Sequence, residues 1–329
     1  MKQLIARLSM LFMCFAGTML HAQDEKPFLA IASIGKTDSV FKYGFIDQKG
    51  NWVIQQQYDF YPSYAYTEIK YGFSEGYANV CKDKIWHFID RKGNSVSKLK
   101  GLDFVSILSG GVALANTGGY WDDRNFIYGG TWKYIDRNGN IVLSPEMSAA
   151  SDFHDGLACI GISMVDPGDG YIDKQGNVKL KFNNGDFGQD FHNDTALLET
   201  SDHRAILIDT GGKTVASIGY FNSCYNYSNG IMCATNGDSV EFVNRLDKQV
   251  FKNYKSAMPY NKTMTGVEVS DKWGFINSKG ELYIPPVYEA VGNYSNGLVS
   301  VKKNGKWGFI DKEGKLVIPC KFDFVEEFH

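Results

Sequence analysis

The chain has 329 residues, 43% of them apolar and 22% charged, and its 34 basic and 37 acidic side chains leave a net charge of −3. That balance excludes a wholly disordered or membrane-embedded chain. It also argues against a general phosphate-binding surface, which needs a basic excess, so no nucleic-acid partner is expected. With 19 Tyr, 22 Phe and 35 Gly against 8 Pro, strands and tight turns are favoured over helices.

In chain order, residues 1–22 read first, as a secretory signal. Lys2 and Arg7 form a positive start, and Ser9 to Leu20 form an apolar core too short to span a bilayer. Cleavage after Ala22 leaves a net charge of −5 and no apolar stretch long enough to cross a membrane, so the expected location is periplasmic, extracellular or at the cell surface. A degraded lipoprotein box at Leu11 to Cys14 is the weaker alternative, because bulky Met13 stands where a small residue is needed.

From Phe28 onward one pattern recurs, an aromatic-aliphatic pair followed by Asp-x-x-Gly. The turns are Asp47 with Gly50, Asp90 with Gly93, Asp136 with Gly139, Asp173 with Gly176 and Asp209 with Gly212. Asn244 with Asp247, Asn277 with Gly280 and Asp311 with Gly314 complete the series, at a mean spacing of about 38 residues. A β-rich segment follows each turn, for example Val53-Ile54 or Val317-Ile318-Pro319. Then comes an aromatic, a Gly and a short apolar strand, as in Phe153 to Ala158 and Tyr294 to Val299. Each unit therefore predicts three or four short strands and cannot bury a core without its neighbours. About 150 residues per domain would give two domains, whereas the repeat predicts a single domain over 23–329 made of eight units.

Lys272-Trp273-Gly274-Phe275-Ile276 and Gly305 to Asp311, with Gly-Leu-Val and Val-Ile-Pro in register, resemble the bacterial WG-repeat family. The resemblance implies a β-rich repeat protein without known catalysis, used for binding.

A residue present in every unit reads as architecture. The Asp side chain accepts backbone N–H groups, the Gly supplies a left-handed conformation, and the exchange for Asn244 and Asn277 argues against a catalytic or calcium-binding carboxylate. An EF-hand at Asp136 fails because Met147 stands where a bidentate Glu is required. No metal or cofactor is expected. His154 and His192, in the slot of Ser74 and Ser295, are expected on exposed turns, and Cys159 and Cys233 as small buried apolar residues. A Cys224–Cys233 disulfide is the most local pairing open to the chain.

At the C-terminus Phe322 to Phe328 matches Tyr288 to Tyr294, and the strand expected next is supplied by Phe28 to Ala32. This predicts an all-β, propeller-like closed toroid, with an open β-solenoid as the alternative. Binding residues are sought where the repeat is broken. The longest spacing holds Tyr120, Trp121, Asp122, Asp123 and Arg124 in a Gly-flanked loop, either an aromatic anchor or a hydrophobic plug. Tyr64 and Tyr66 are a second candidate, and Tyr225 with Tyr227 a weaker third. The function expected is a non-enzymatic scaffold that binds a protein or glycan of the cell envelope. The alternatives are a hydrolase using Asp122 and Asp123 and a passive envelope component.

Overall fold

The computed structural model describes residues 28–35, 42–59, 71–121, 127–144, 150–161, 170–183, 186–235, 239–244, 248–251 and 253–329. The segment read as a secretory signal lies outside them. Among the described residues no helix occurs, and 28 antiparallel strands, numbered in chain order, build eight similar units.

Unit 1 runs β28 (Phe324–Phe328), β1 (Ala30–Ser33), β2 (Lys42–Ile46) and β3 (Trp52–Asp59). Unit 2 has β4 (Gly72–Ser74), β5 (Tyr77–Lys82) and β6 (Ile85–Ile89), and one pairing of Asp59 with Cys81 joins it to unit 1 in a seven-stranded sheet. Unit 3 has β7 (Phe104–Val105), β8 (Val112–Trp121), β9 (Ile127–Asp136) and β10 (Ile141–Leu143). Unit 4 has β11 (Leu157–Ile160), β12 (Gly170–Asp173) and β13 (Val178–Lys181). In unit 5 are β14 (Phe187–Gly188), β15 (Thr195–Glu199), β16 (Arg204–Asp209) and β17 (Thr214–Tyr220). Unit 6 is β18 (Ser223–Ser228), β19 (Ile231–Thr235) and β20 (Val240–Asn244), and unit 7 is β21 (Thr265–Val269), β22 (Lys272–Ile276) and β23 (Leu282–Tyr288). Unit 8 closes the series with β24 (Ala290–Ser295), β25 (Leu298–Lys303), β26 (Lys306–Asp311) and β27 (Leu316–Phe322). Isolated bridges such as Trp86 with Leu99, Ala150 with Ile160, Val240 with Tyr254 and Ala257 with Val267 stand where the three-stranded units lack a fourth strand.

The ring is closed. β28 pairs with β1, Ala30 opposite Phe328 and Ser33 opposite Phe324, so the last strand of the chain is the first strand of unit 1. An open solenoid is thereby excluded. Buried clusters lie between consecutive units all the way round. One spans units 1 to 4, and others join 4 to 5, 5 to 6, 6 to 7 and 7 to 8. The last, with Phe309, Ile318 and Phe322 against Ala30, Ile46 and Phe328, joins unit 8 to unit 1.

The repeated residues make these junctions. At four junctions the aromatic before the turn packs on the aromatic that precedes the next unit's second strand. Ring centroids are 4.9 Å apart for Phe45–Phe73, 4.6 Å for Tyr134–Phe153, 4.7 Å for Tyr171–Phe191 and 4.8 Å for Phe309–Phe328. Buried aromatics contribute large apolar area at each contact. Tyr134 and Tyr171 also donate their hydroxyls to the carbonyls of Ser151 and Gln189 in the following unit.

The turns carry a second junction. Asp47 Oδ1 accepts the N–H groups of Lys49 and Asn51, both at 2.9 Å, and the Gly50 N–H donates to the Asp47 carbonyl. Partial desolvation acts to raise the Asp47 carboxyl, but the donors from Asn51 and Lys49 outweigh it and hold the carboxyl below its ordinary value. Asn277 makes the same two backbone contacts through its amide oxygen. Each turn Gly has a positive φ and also faces the last strand of the preceding unit. A Cβ at Gly50 would stand 2.8 Å from Ile318, at Gly139 2.7 Å from Leu99 and at Gly212 2.5 Å from Leu180. Glycine is therefore required twice, for its backbone conformation and for close approach.

Candidate functional site

Antiparallel order divides the connections between two faces of the ring. The turns joining first to second strands and third to fourth strands, including every Asp-x-x-Gly turn, lie on one face. Second-to-third connections and the crossings between units lie on the other. The β8–β9 hairpin, which carries Tyr120, extends on that second face. Tyr64 and Tyr66, between β3 and β4 in the sequence, lie outside the described residues, as do Asp122, Asp123 and Arg124, between β8 and β9 in the sequence.

The hairpin itself is well defined. β8 and β9 have 10 residues each, against 6 in each of β25 and β26, and pair from Val112–Asp136 out to Trp121–Ile127. The extra length makes a two-stranded ribbon beyond the body of unit 3. At its root the buried Asn116 side chain donates to the Gly129 carbonyl at 3.1 Å, and Asp103 Oδ2 accepts the Gly118 N–H at 2.6 Å. A Cβ at Gly119 or Gly130 would approach Asn116 Oδ1 to 2.4 Å, so only glycine lets the strands pass this amide. Positive φ at Gly118, Gly129 and Gly130 bends the ribbon there.

Successive residues on a strand face opposite ways. Ile127 packs onto the core of units 1 to 4, while Tyr120, one step along the ladder, is 65% exposed. The Trp121 backbone ends β8; its side chain lies outside the described part of the structure.

A set of acids on the same face escapes the repeat reading. Asp59 accepts the Asp83 N–H, Asp186 the Ser201 N–H, Glu289 the Asn304 and Gly305 N–H groups and Asp323 the Gly35 N–H. Together with Asp103 they tie five of the crossings between units to the next second-to-third turn. Their signal is present in Tyr58-Asp59-Phe60, Leu102-Asp103-Phe104 and Phe322-Asp323-Phe324, a recurrence masked by the stronger Asp-x-x-Gly series. In unit 7 Lys255 replaces the acid and pairs with Asp271 of the turn at 2.5 Å.

On the turn face, His154 is half-buried rather than exposed, with Nε2 3.6 Å from Asp190 Oδ2 and its ring 5.1 Å from that of His192. The inner strand β28 carries Glu326 and Glu327 side by side. Burial, with the Glu327 charge added, pushes the Glu326 carboxyl up to about 7. Asn293 donates to Glu327 Oε1 at 2.6 Å. Among the described residues no group of three His, Cys, Asp or Glu is arranged to hold a metal ion. Cys233 is a free buried thiol, its Sγ directed at the Met258 carbonyl, so the Cys224–Cys233 disulfide is absent. Tyr225 lies in β18 opposite Cys233, with its side chain outside the described part; Tyr227 is half-buried against the cluster between units 5 and 6. No helix of the described residues is long and apolar enough to cross a membrane.

Comparison with solved structures places the chain among ring-like β proteins by fold alone. The computationally designed Ika8 protein superposes with a TM-score of 0.51 at 13% identity, over 76% of this chain and 87% of its own. A eukaryotic initiation factor gives 0.54 at 10% identity, over 89% and 84%. Apo AztD from Citrobacter koseri gives 0.52 at 12% identity, over 91% and 97%. No curated protein sequence matches the chain. Residues 43–86, 132–161, 273–307 and 307–329 match the WG containing repeat. Those stretches include the turns at Asp47, Asp136, Asn277 and Asp311, and over them the chain carries WG-containing repeats.

Proposed function

We propose that this repeat scaffold is an exported, non-enzymatic binding protein that presents the β8–β9 ribbon to a protein or glycan of the cell envelope. The observation that carries this reading is Tyr120, exposed on a ribbon whose other face is held against the core through Ile127. An aromatic fixed in this way offers contact area at little cost in conformational entropy. Export is supported by the charge and apolar pattern of residues 1–22, and the absence of catalysis by the lack of any recognisable catalytic motif.

Glycan and peptide arrays probed with the wild type, Tyr120→Ala and Trp121→Ala test the proposal. A ligand bound by the wild type and lost in either variant, with unchanged thermal unfolding, supports it. Binding that survives both substitutions removes the ribbon from the site. Turnover of a bound glycan that is abolished in Asp122→Asn or Asp123→Asn would replace the binding reading with the hydrolase.

A further inference from the structure

We propose that the ring opens locally at unit 6, while the pairing of β28 with β1, where the last and first strands meet, stays shut. Three kinds of tie join neighbouring units, and they are unevenly distributed. In units 1 to 4 the residue after the turn Asp reaches back to the preceding unit. Gln48 Nε2 donates to the Asn296 carbonyl of unit 8 at 2.5 Å, and Arg91 Nη1 to the His329 main-chain oxygen of unit 1 at 3.1 Å. Arg137 Nη1 donates to the Tyr77 hydroxyl of unit 2 and stacks 4.6 Å above its ring, and Lys174 Nζ donates to the Gly110 carbonyl of unit 3. Thr210 and Ser278 hold this position in units 5 and 7, and among the described residues neither makes such a bond. Lys312 of unit 8 pairs with Glu313 of its own turn at 3.8 Å. Residue 245 of unit 6 lies outside the described residues.

The second tie is the ring two residues before each turn. That slot is aromatic in every unit except unit 5, where it holds Leu207. The junction of units 5 and 6 therefore packs aliphatic side chains, Leu207 and Ile218 with Met232 and Val243, and Tyr227 is only partly buried against them. A leucine brings less apolar area to the contact than a phenylalanine or tyrosine does. The third tie is the acid on the opposite face. The Asn222 N–H donates to the Thr235 carbonyl as the Asp103 N–H does to Asn116 and the Asp323 N–H to Ser33, so Asn222 stands in the acid's place at the crossing from unit 5 to unit 6. Among the described residues its neutral side chain accepts no backbone N–H. At the crossing from unit 6 to unit 7 the acid is replaced by Lys255, whose pair with Asp271 is largely exposed and adds little.

Unit 6 thus has weakened ties on both sides, and units 6 and 7 are successive three-stranded units. The seam is better held, by Gln48, by Phe309 against Phe328 at 4.8 Å and by Asp323 accepting the Gly35 N–H at 2.8 Å. Each such hydrogen bond shifts a local opening equilibrium by a factor of about five. Opening at unit 6 uncovers Cys233 in β19, a fully buried thiol. Burial pushes that thiol up to about 12, so it reacts only when the unit opens. Cys81 in unit 2 and Cys159 in unit 4 are buried thiols of the tied arc. The β8–β9 ribbon of unit 3 belongs to the same arc and stays held while unit 6 opens.

Alkylation of the native protein with iodoacetamide, followed thiol by thiol by mass spectrometry of its peptides, tests the proposal. Cys233 should react at least about tenfold faster than Cys81 and Cys159. Arg137→Ala, which frees Tyr77 of unit 2, should speed Cys81 about fivefold and leave Cys233 unchanged. Amide hydrogen exchange on the same protein should be faster in β18 to β20 than in β1 and β28. Equal reaction of the three buried thiols would mean that they are reached only by global unfolding, and overturns the proposal. Exchange in β1 and β28 as fast as in β19 overturns it too, by placing the opening at the seam. An Arg137→Ala protein whose Cys81 reacts no faster than in the wild type would remove the reaching side chains as the cause of the difference, and overturns it as well.

Discussion

Glu326 allows a quantitative test of how β28 closes the ring. Its carboxyl is half-buried on the inner strand beside Glu327, and its pKa rises from the ordinary 4.5 to about 7. At 1.36 kcal/mol per unit, the difference corresponds to about 3 kcal/mol of folding free energy. The sign follows from proton counting. Between those two values the folded chain holds a proton that the unfolded chain has released, so stability falls as pH rises through this window and stays reduced above it. Glu326→Gln removes the ionisation while keeping the shape. It should leave stability nearly unchanged near pH 4 and raise it by about 3 kcal/mol near pH 8, which corresponds to a melting shift of about 5 °C. Denaturant and thermal unfolding of both proteins across that range measure the difference. Equal effects at the two ends, or a loss of stability at the alkaline end, would refute the assignment of the cost to a buried charge.

Three further outcomes follow from the junctions between units. Gly139→Ala places a Cβ 2.7 Å from Leu99, whereas Gly156→Ala, also at positive φ, meets open space. Both should lose about 1–2 kcal/mol from backbone conformation, and only the first should lose more, as read by denaturant midpoints. Asp47→Ala removes the acceptor of two backbone N–H groups and should cost about 1–3 kcal/mol, while Asp47→Asn retains the oxygen and should cost less, as Asn277 already shows the geometry to be compatible. Phe328→Ala, at the seam between units 8 and 1, should cost about 3–5 kcal/mol in the same measurement, because the ring it removes is buried against Phe309.

Much of the architecture was legible because the units repeat. A turn that needs an acceptor at Asp47 and a left-handed residue at Gly50 leaves the same two letters in nearly every unit. The chain reaching Phe328 without its next strand, while Phe28 to Ala32 offered one, predicted a closed ring, and the pairing of β28 with β1 agrees. The candidate site was legible only as a departure from the pattern. Composition and spacing marked Tyr120 to Arg124 as unusual, but they did not tell the exposed residue from the packed one.

What the sequence alone determined is therefore local: which segments form strands, where they turn, and how many units there are. Those properties depend on residues a few positions apart, and repetition averages out the exceptions. The tertiary structure decided what depends on distant residues meeting. It brought Gly139 onto Leu99 and Phe45 onto Phe73, half-buried His154 beside Asp190, and left Cys233 a free thiol. It also sorted the turns onto one face and the long connections onto the other, because antiparallel strands of similar length bring every second connection to the same side. That sorting brings every Asp-x-x-Gly turn to one side of the ring, although in the chain the turns are about 38 residues apart.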